Sequence, residues 1–309
     1  MDIYMAPMEG VTNYVFRKVY IKHFSGVDKF FTPFITPHMK KGFSKSELME
    51  LNSEYNKGQY LIPQILTNNA EDFLKLADEI KEMGYREFNL NLGCPSGTVT
   101  SKGRGSGFLK DPDALDKFFY DIFKKKDNIK LSVKTRIGFS DYKEWDDLLK
   151  VYEKYEFSEI IIHPRLRSDF YKNNIYLPSF IQACNDLKQD IIYNGDINTL
   201  DDFNNLKMQI SNDKVTGVMI GRGLVKNPLI GESIKQNKEI ISIEKTVEFL
   251  DDIVEEYLTL DFGERNTLFK LKEIWGMILG NDEVYSKVLK KIRKSNTVKD
   301  YKMAVNELF

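Results

Sequence analysis

The chain reads as an α/β protein, a (β/α)8 TIM barrel followed by a small C-terminal helical domain. Three observations predict this fold. Eight short, apolar β-type runs recur up to about residue 236. Amphipathic helical patterns separate most of them. After about Ser242 the strand signal stops and four helical patterns follow, which divides the chain into 1–240 and 241–309.

The strand candidates are residues 3–7, 30–35, 60–65, 87–92, 130–136, 159–163, 190–194 and 215–220. Their nearly continuous apolar character suits a parallel sheet covered on both faces. Within 70–83, Phe73, Ala77 and Ile80 share one helical face, with Asn69 as cap and Gly84 as stop. Residues 111–124, 143–155 and 200–209 carry the same pattern, whereas 36–59 are irregular. In the tail, 244–260, 265–279, 283–294 and 297–308 read as helices. Counting strands leaves closure open, so an open doubly wound sheet remains the structural alternative.

A content of 42% hydrophobic and 29% charged residues is that of a globular protein. No apolar run approaches the roughly 18 residues a bilayer span needs. Residues 1–20 lack a signal-peptide layout, and Cys94 and Cys184 could form at most one bridge. A cytoplasmic monomer without membrane or metal partners is expected. The net charge of −1 argues against a generically basic nucleic-acid binder. Residues 241–264 hold eight acidic residues and one basic, but 265–302 hold ten basic and four acidic. That second stretch is either a local cationic face or the solvated side of a helix pair.

Barrel active sites form where strands end. Here those ends carry Pro7-Met8-Glu9-Gly10, Gln64, Asn91-Leu92-Gly93-Cys94-Pro95, Lys134-Thr135-Arg136, His163-Pro164-Arg165, Asn194-Gly195-Asp196 and Gly221-Arg222-Gly223. Turns alone do not require Gln, Lys and His. Gly195 and Gly221–Gly223 follow the last two strands, the usual phosphate site of such barrels, and Arg222 adds charge. FMN suits this better than a dinucleotide, because 7–10 has no G-x-G-x-x-G pattern. Cys94, between Gly and Pro at a strand end, reads as reactive; Cys184, inside a helical pattern, reads as core. The loop 96–107, with four glycines, Lys102 and Arg104, could move over a substrate or be a plain surface loop.

Met5-Ala6-Pro7-Met8-Glu9-Gly10-Val11-Thr12 with Phe16-Arg17 resembles the opening of tRNA-dihydrouridine synthases. Asn91-x-Gly93-Cys94-Pro95-Ser96, Val133–Arg136, Asn194-Gly195-Asp196 and Met219–Gly223 resemble that family's other signatures in the same order. The resemblance covers 3 to about 230 and extends more weakly to Lys270-Leu271-Lys272. It implies FMN as cofactor, NADPH or NADH as reductant, and tRNA as partner. Pro7, Met8 and Glu9 would line the flavin through their backbone, and Gln64 and Lys134 would contact its ring. Asn194, Gly195, Asp196, Gly221 and Arg222 would hold the ribityl phosphate. Asn91 would approach the target uracil, His163 and Arg165 would bridge flavin and base, and Lys270 and Lys272 would face tRNA. Asn89, Gly97, Pro33 and Pro164 depart from residues common in relatives, so no particular uridine is implied.

Reducing uracil at C5–C6 requires a hydride at C6 and a proton at C5. The flavin would deliver the first and Cys94 the second; a thiol near its ordinary pKa of about 8.5 stays protonated at neutrality. Two rivals remain. One is a dihydroorotate-dehydrogenase-type barrel acting on a free pyrimidine, for which the basic tail has no use. The other is a non-catalytic tRNA-binding factor, which would carry no flavin.

Overall fold

The strands are β1 (Asp2–Met5), β2 (Lys29–Phe31), β3 (Leu61–Ile62), β4 (Gln64–Ile65), β5 (Glu87–Leu92), β6 (Lys130–Arg136), β7 (Glu159–His163), β8 (Asp190–Asn194) and β9 (Val215–Ile220). All pair in parallel, in the order β3-β2-β1-β9-β8-β7-β6-β5-β4. The two ends of that order are halves of a single extended segment. Pro63, which has no N–H for a ladder, separates them. β3 pairs with β2 at Phe30↔Leu61, and β4 pairs with β5 at Gln64↔Asn89, so the ladder returns to its start. The architecture is TIM-barrel-like, and the open doubly wound alternative is set aside. The computed structural model describes residues 1–38, 42–173, 175–210, 212–280 and 282–309. Residues 39–41 of the irregular 36–59 unit and residue 281 of the basic stretch thus lie outside the described residues.

Parallel strands need crossovers, and helices supply them. They are α1 (Tyr14–His23), α2 (Lys45–Leu51), α3 (Ala70–Lys81), α4 (Gly97–Thr100), α5 (Pro112–Lys125), α6 (Glu144–Glu153), α7 (Leu177–Asp186), α8 (Leu200–Gln209), α9 (Arg222–Lys226) and α10 (Ile230–Gln236). Asn69, Asp111 and Thr199 cap α3, α5 and α8 by accepting a backbone N–H three residues on. The second strand is shorter than expected, because Pro33 cannot donate; Ile35 rejoins only by an isolated bridge to Ile65. Alternation sends every second strand residue inward. Tyr4, Ala6, Phe31, Ile62, Ile161, Ile192 and Met219 accordingly form an inner cluster, separate from the larger core between strands and helices.

The tail comprises α11 (Ile243–Thr259), α12 (Glu264–Leu279), α13 (Ser286–Lys294) and α14 (Val298–Val305). Phe249 of α11 packs edge-on against Phe16 and Phe24, with ring centroids 5.2 and 5.1 Å apart. Lys18 pairs with Glu256, and Asn13 exchanges hydrogen bonds with the Tyr257 hydroxyl. Lys270 of α12 donates to the Gly10 carbonyl at 2.9 Å.

A buried ion pair fixes the first βα turn. Arg17, fully buried, donates to Glu50 Oε2 (2.8 Å), Asn56 Oδ1 (2.8 Å) and the Thr12 carbonyl (3.1 Å). Thr12 Oγ1 in turn accepts the Met8 N–H and donates to the Ala6 carbonyl. Removing one partner of such a pair leaves a buried charge uncompensated. Arg17→Met should therefore destabilise the chain by about 3–5 kcal/mol in urea unfolding; a loss under about 1 kcal/mol would show that Glu50 is solvated.

Candidate active site

The strand ends converge on one cavity of about 810 Å³. Every candidate from the barrel motifs lines it: Pro7, Met8, Glu9, Gln64, Asn91, Cys94, Lys134, His163, Arg165, Asn194, Gly195, Asp196, Gly221 and Arg222. Lys270 and Lys272 do not, although their helix contributes Glu273, Gly276 and Met277. Both lysine nitrogens are engaged by backbone carbonyls, Lys270 by Gly10 and Lys272 by Ser295 at 2.5 Å. Sequence motifs gave Arg136 no role and passed over Tyr171, yet both line the cavity. Arg136 bonds three carbonyls, of Gly93 (2.9 Å), Leu166 (2.8 Å) and Phe170 (2.8 Å). The Tyr171 ring lies over the Arg136 and Arg222 guanidiniums at 5.3 and 4.9 Å. Those contacts are long-range, and no local pattern announces them.

Cys94 is held on both sides. Its N–H donates to Asn91 Oδ1 at 2.9 Å, and its carbonyl accepts from Ser106 N (3.1 Å) and Oγ (2.8 Å). Asn91 belongs to a one-directional chain of side chains. Asn91 Nδ2 donates to Gln64 Oε1 (2.7 Å), Gln64 Nε2 to Asn89 Oδ1 (2.8 Å), and Asn89 Nδ2 to Ser132 Oγ (2.8 Å). Ser132 Oγ then donates to the Phe88 carbonyl at 3.2 Å. The Asn91 oxygen is thereby left for the N–H groups of Gly93 and Cys94.

The loop 96–107 is locally structured. It contains α4 and a 3-10 turn, Gly105–Lys110, whose first five residues are buried. A Cβ at Gly105, where φ is +56°, would sit 2.9 Å from the Cys94 carbonyl oxygen. The glycine serves close packing against the cysteine. Cys184, as expected, is core.

Positive charge crowds the cavity. Lys134, Arg136, Arg165 and Arg222 line it, and Asp196 bonds both Arg165 and Arg222. Burial pushes the Asp196 carboxyl up, but the two arginines prevail and hold it below its ordinary range. Burial, then Arg136, depress Lys134 to about 7. Burial and the surrounding cations hold His163 well below its usual value, hence neutral. Its Nε2 lies 3.2 Å from Arg165 Nη1, which can only donate, so the ring proton sits on Nδ1. Burial raises the Cys94 thiol; the Ser96 N–H, Lys134 and Arg136 oppose this without cancelling it. The arrangement offers a protonated thiol beside a cavity suited to an anionic ligand. Among the described residues no group of His, Cys, Asp and Glu could hold a metal ion, and no helix is long and apolar enough to cross a membrane.

A family model described as dihydrouridine synthase (Dus) matches residues 4–299. A probable tRNA-dihydrouridine synthase of Staphylococcus aureus (strain COL) is 30% identical over 243 residues, covering 74% of this chain and 70% of the relative. Probable tRNA-dihydrouridine synthase 2 of Bacillus subtilis (strain 168) is 30% identical over 245 residues, covering 76% and 72%. Among solved structures, morphinone reductase aligns with a TM-score of 0.53 over 78% of this chain and 87% of its own, at 10% identity. Histamine dehydrogenase from Rhizobium sp. 4-9 aligns at 0.55 over 76% and 46%, also at 10% identity. Likeness at that identity speaks for the fold alone.

The raised thiol has a direct check. In a Cys184→Ser background, the iodoacetamide alkylation rate of Cys94 should have its pH midpoint above the free-thiol value of about 8.5. A midpoint near 7 would mean a thiolate, and with it a nucleophile in place of an acid.

Proposed function

The chain belongs to the dihydrouridine synthase family, and from that premise we propose that it reduces uridines in tRNA to 5,6-dihydrouridine, with FMN as cofactor and NADPH or NADH as reductant. The observation that carries this reading is Cys94, its thiol pushed up by burial, in the lining of a cavity that six lysine and arginine side chains also line. FMN bound there supplies the hydride that uracil C6 receives. It brings a phosphate and a ring that becomes anionic on reduction. Arg222, oriented by Asp196, suits the phosphate, with the backbone of Asn194, Gly195 and Gly221 around it, and Arg165, on the same carboxylate and beside His163, is assigned to the edge where flavin and base meet. A Cβ at Gly223 would fall 1.9 Å from the Ile197 carbonyl oxygen, so the chain there keeps its close approach only with glycine.

Lys134 and Gln64 are assigned to the ring, with the backbone of Pro7, Met8 and Glu9 along its edge. Lys134 supplies preorganised positive charge where negative charge develops. Neutral His163 is a hydrogen-bond partner that adds no further charge. Asn91 keeps Cys94 in place and lies near enough to the cavity to meet the uracil. Cys94 Sγ gives its proton to C5, a task for which a raised pKa is an asset. The base must leave its RNA stack to arrive there. Residues 1–240 are assigned to catalysis and 241–309 to tRNA binding, with Lys270 and Lys272 reinforcing the field while holding α12 to its neighbours. A free-pyrimidine reductase would turn over uracil or orotate without RNA, and a non-catalytic factor would show no flavin absorbance.

Cys94→Ala should leave NADPH reduction of the flavin intact and lower dihydrouridine formation at least about a hundredfold; normal product yield would overturn the acid role. Lys134, depressed to about 7, is charged below that pH and neutral above it. Apoprotein affinity for FMN should fall as pH rises through about 7 by more in wild type than in Lys134→Met. Identical pH profiles by fluorescence titration would remove Lys134 from the ring site.

A further inference from the structure

The strand order places β5, β6 and β7 across the ring from β9 and β1, whose loops meet α12. The loops after β5, β6 and β7 enter the cavity through Cys94, Arg136 and Arg165 and carry, outside its lining, a second cluster of distinctive chemistry. The Arg167 guanidinium lies between two aromatic rings, 5.1 Å from Phe139 and 5.1 Å from Phe170. Lys110 Nζ sits 3.9 Å from the Phe139 centroid. Arg167 Nη2 reaches only Thr100 Oγ1, at 3.3 Å. Among the described residues neither Arg167 nor Lys110 nor Arg104 pairs with a carboxylate. The Nε atoms of Arg104 and Arg167 are buried without an acceptor.

Phe170 is 41% exposed and adopts a left-handed backbone, with φ +51°. A bulky residue in that region is disfavoured and persists only where its surroundings hold it. Here they do. Arg136 binds its carbonyl at 2.8 Å, and Arg165 Nε binds the Asn173 carbonyl at 2.6 Å. Asp169 Oδ2 accepts the Leu166 N–H at 2.9 Å. The same arginines line the cavity, so the rim is rigidly tied to the site.

Unneutralised cations interleaved with aromatic rings, one of them exposed as Phe170 is here, are the recognition surface of single-stranded nucleic acid. We propose that this rim binds the ribonucleotides flanking the reduced uridine, with Arg167 and Lys110 on phosphates and Phe170 under a base. An acidic protein would satisfy the cations but has no use for an aromatic face beside a mouth that must admit a base. The inference rests on the tRNA reading above and locates its second RNA contact, apart from the helical tail.

The test uses the full chain loaded with FMN, a tRNA substrate, and the variants Arg167→Gln, Lys110→Gln and Phe170→Asn; asparagine tolerates the left-handed backbone. Arg167→Gln and Lys110→Gln should each weaken tRNA binding severalfold and reduce the slope of log affinity against log salt by about 0.7. Phe170→Asn should weaken binding at least about fivefold with the slope unchanged. NADPH reduction of the flavin should be unaltered in all three. Wild-type affinity in both glutamine variants overturns the rim while the dihydrouridine reading stands; so does a loss that does not depend on salt. If Phe170→Asn fails to hold flavin, the two surface variants decide alone. A wild-type protein that forms no dihydrouridine in any tRNA overturns the underlying reading instead.

Discussion

Six cationic side chains line the mouth of the barrel among three carboxylates, and the carboxylate between two of the arginines is already engaged. Asp196 bonds Arg165 and Arg222 at once, from a left-handed backbone position. Arg136 is turned outward onto three carbonyls, which neutralise none of its charge. Burial, reinforced by the remaining positive potential, keeps His163 neutral and depresses Lys134. That potential makes the cavity a site that is electrostatically incomplete without an anionic tenant. The fold creates this by topology, since parallel strands deliver all their C-terminal ends to one face.

Cys94 is the exception to that field. Nearby cations would ordinarily acidify a thiol, yet burial outweighs them here. What secures the burial is packing. The 3-10 turn beginning at Gly105 closes over the cysteine, and Ser106 clasps its carbonyl. Gly105 and Gly107 leave no room for a side chain, which would meet the Cys94 and Thr100 carbonyl oxygens at 2.9 and 2.7 Å.

Much of this was legible in the sequence. All eight strand segments were recognised, five with the observed ends, because buried parallel strands are short apolar runs that few other elements imitate. The cap at Asn69 is legible from side-chain chemistry, whereas those at Asp111 and Thr199 emerge only with the fold. Closure was not legible, because it depends on Pro63 dividing one segment between two neighbours. Nor were the roles of Arg136 and Tyr171, which arise from partners 30 or more residues away. Lys270 and Lys272 illustrate the opposite limit. Composition registers their charge, but only the fold reveals that both nitrogens already hold backbone carbonyls.

The run of amides beneath the cysteine has a directional consequence. Each member donates downward, and the last hydroxyl ends on a main-chain oxygen that cannot rotate. Turning over Asn91 or Gln64 would set donor against donor and acceptor against acceptor at its neighbours, and the Gly93 and Cys94 N–H groups, which can only donate, hold Asn91 in its present sense. The sense of Gln64 and Asn89 below is thus inherited from the peptide N–H groups of Gly93 and Cys94. Polarity at the surface of the pocket is settled by the backbone before any ligand arrives.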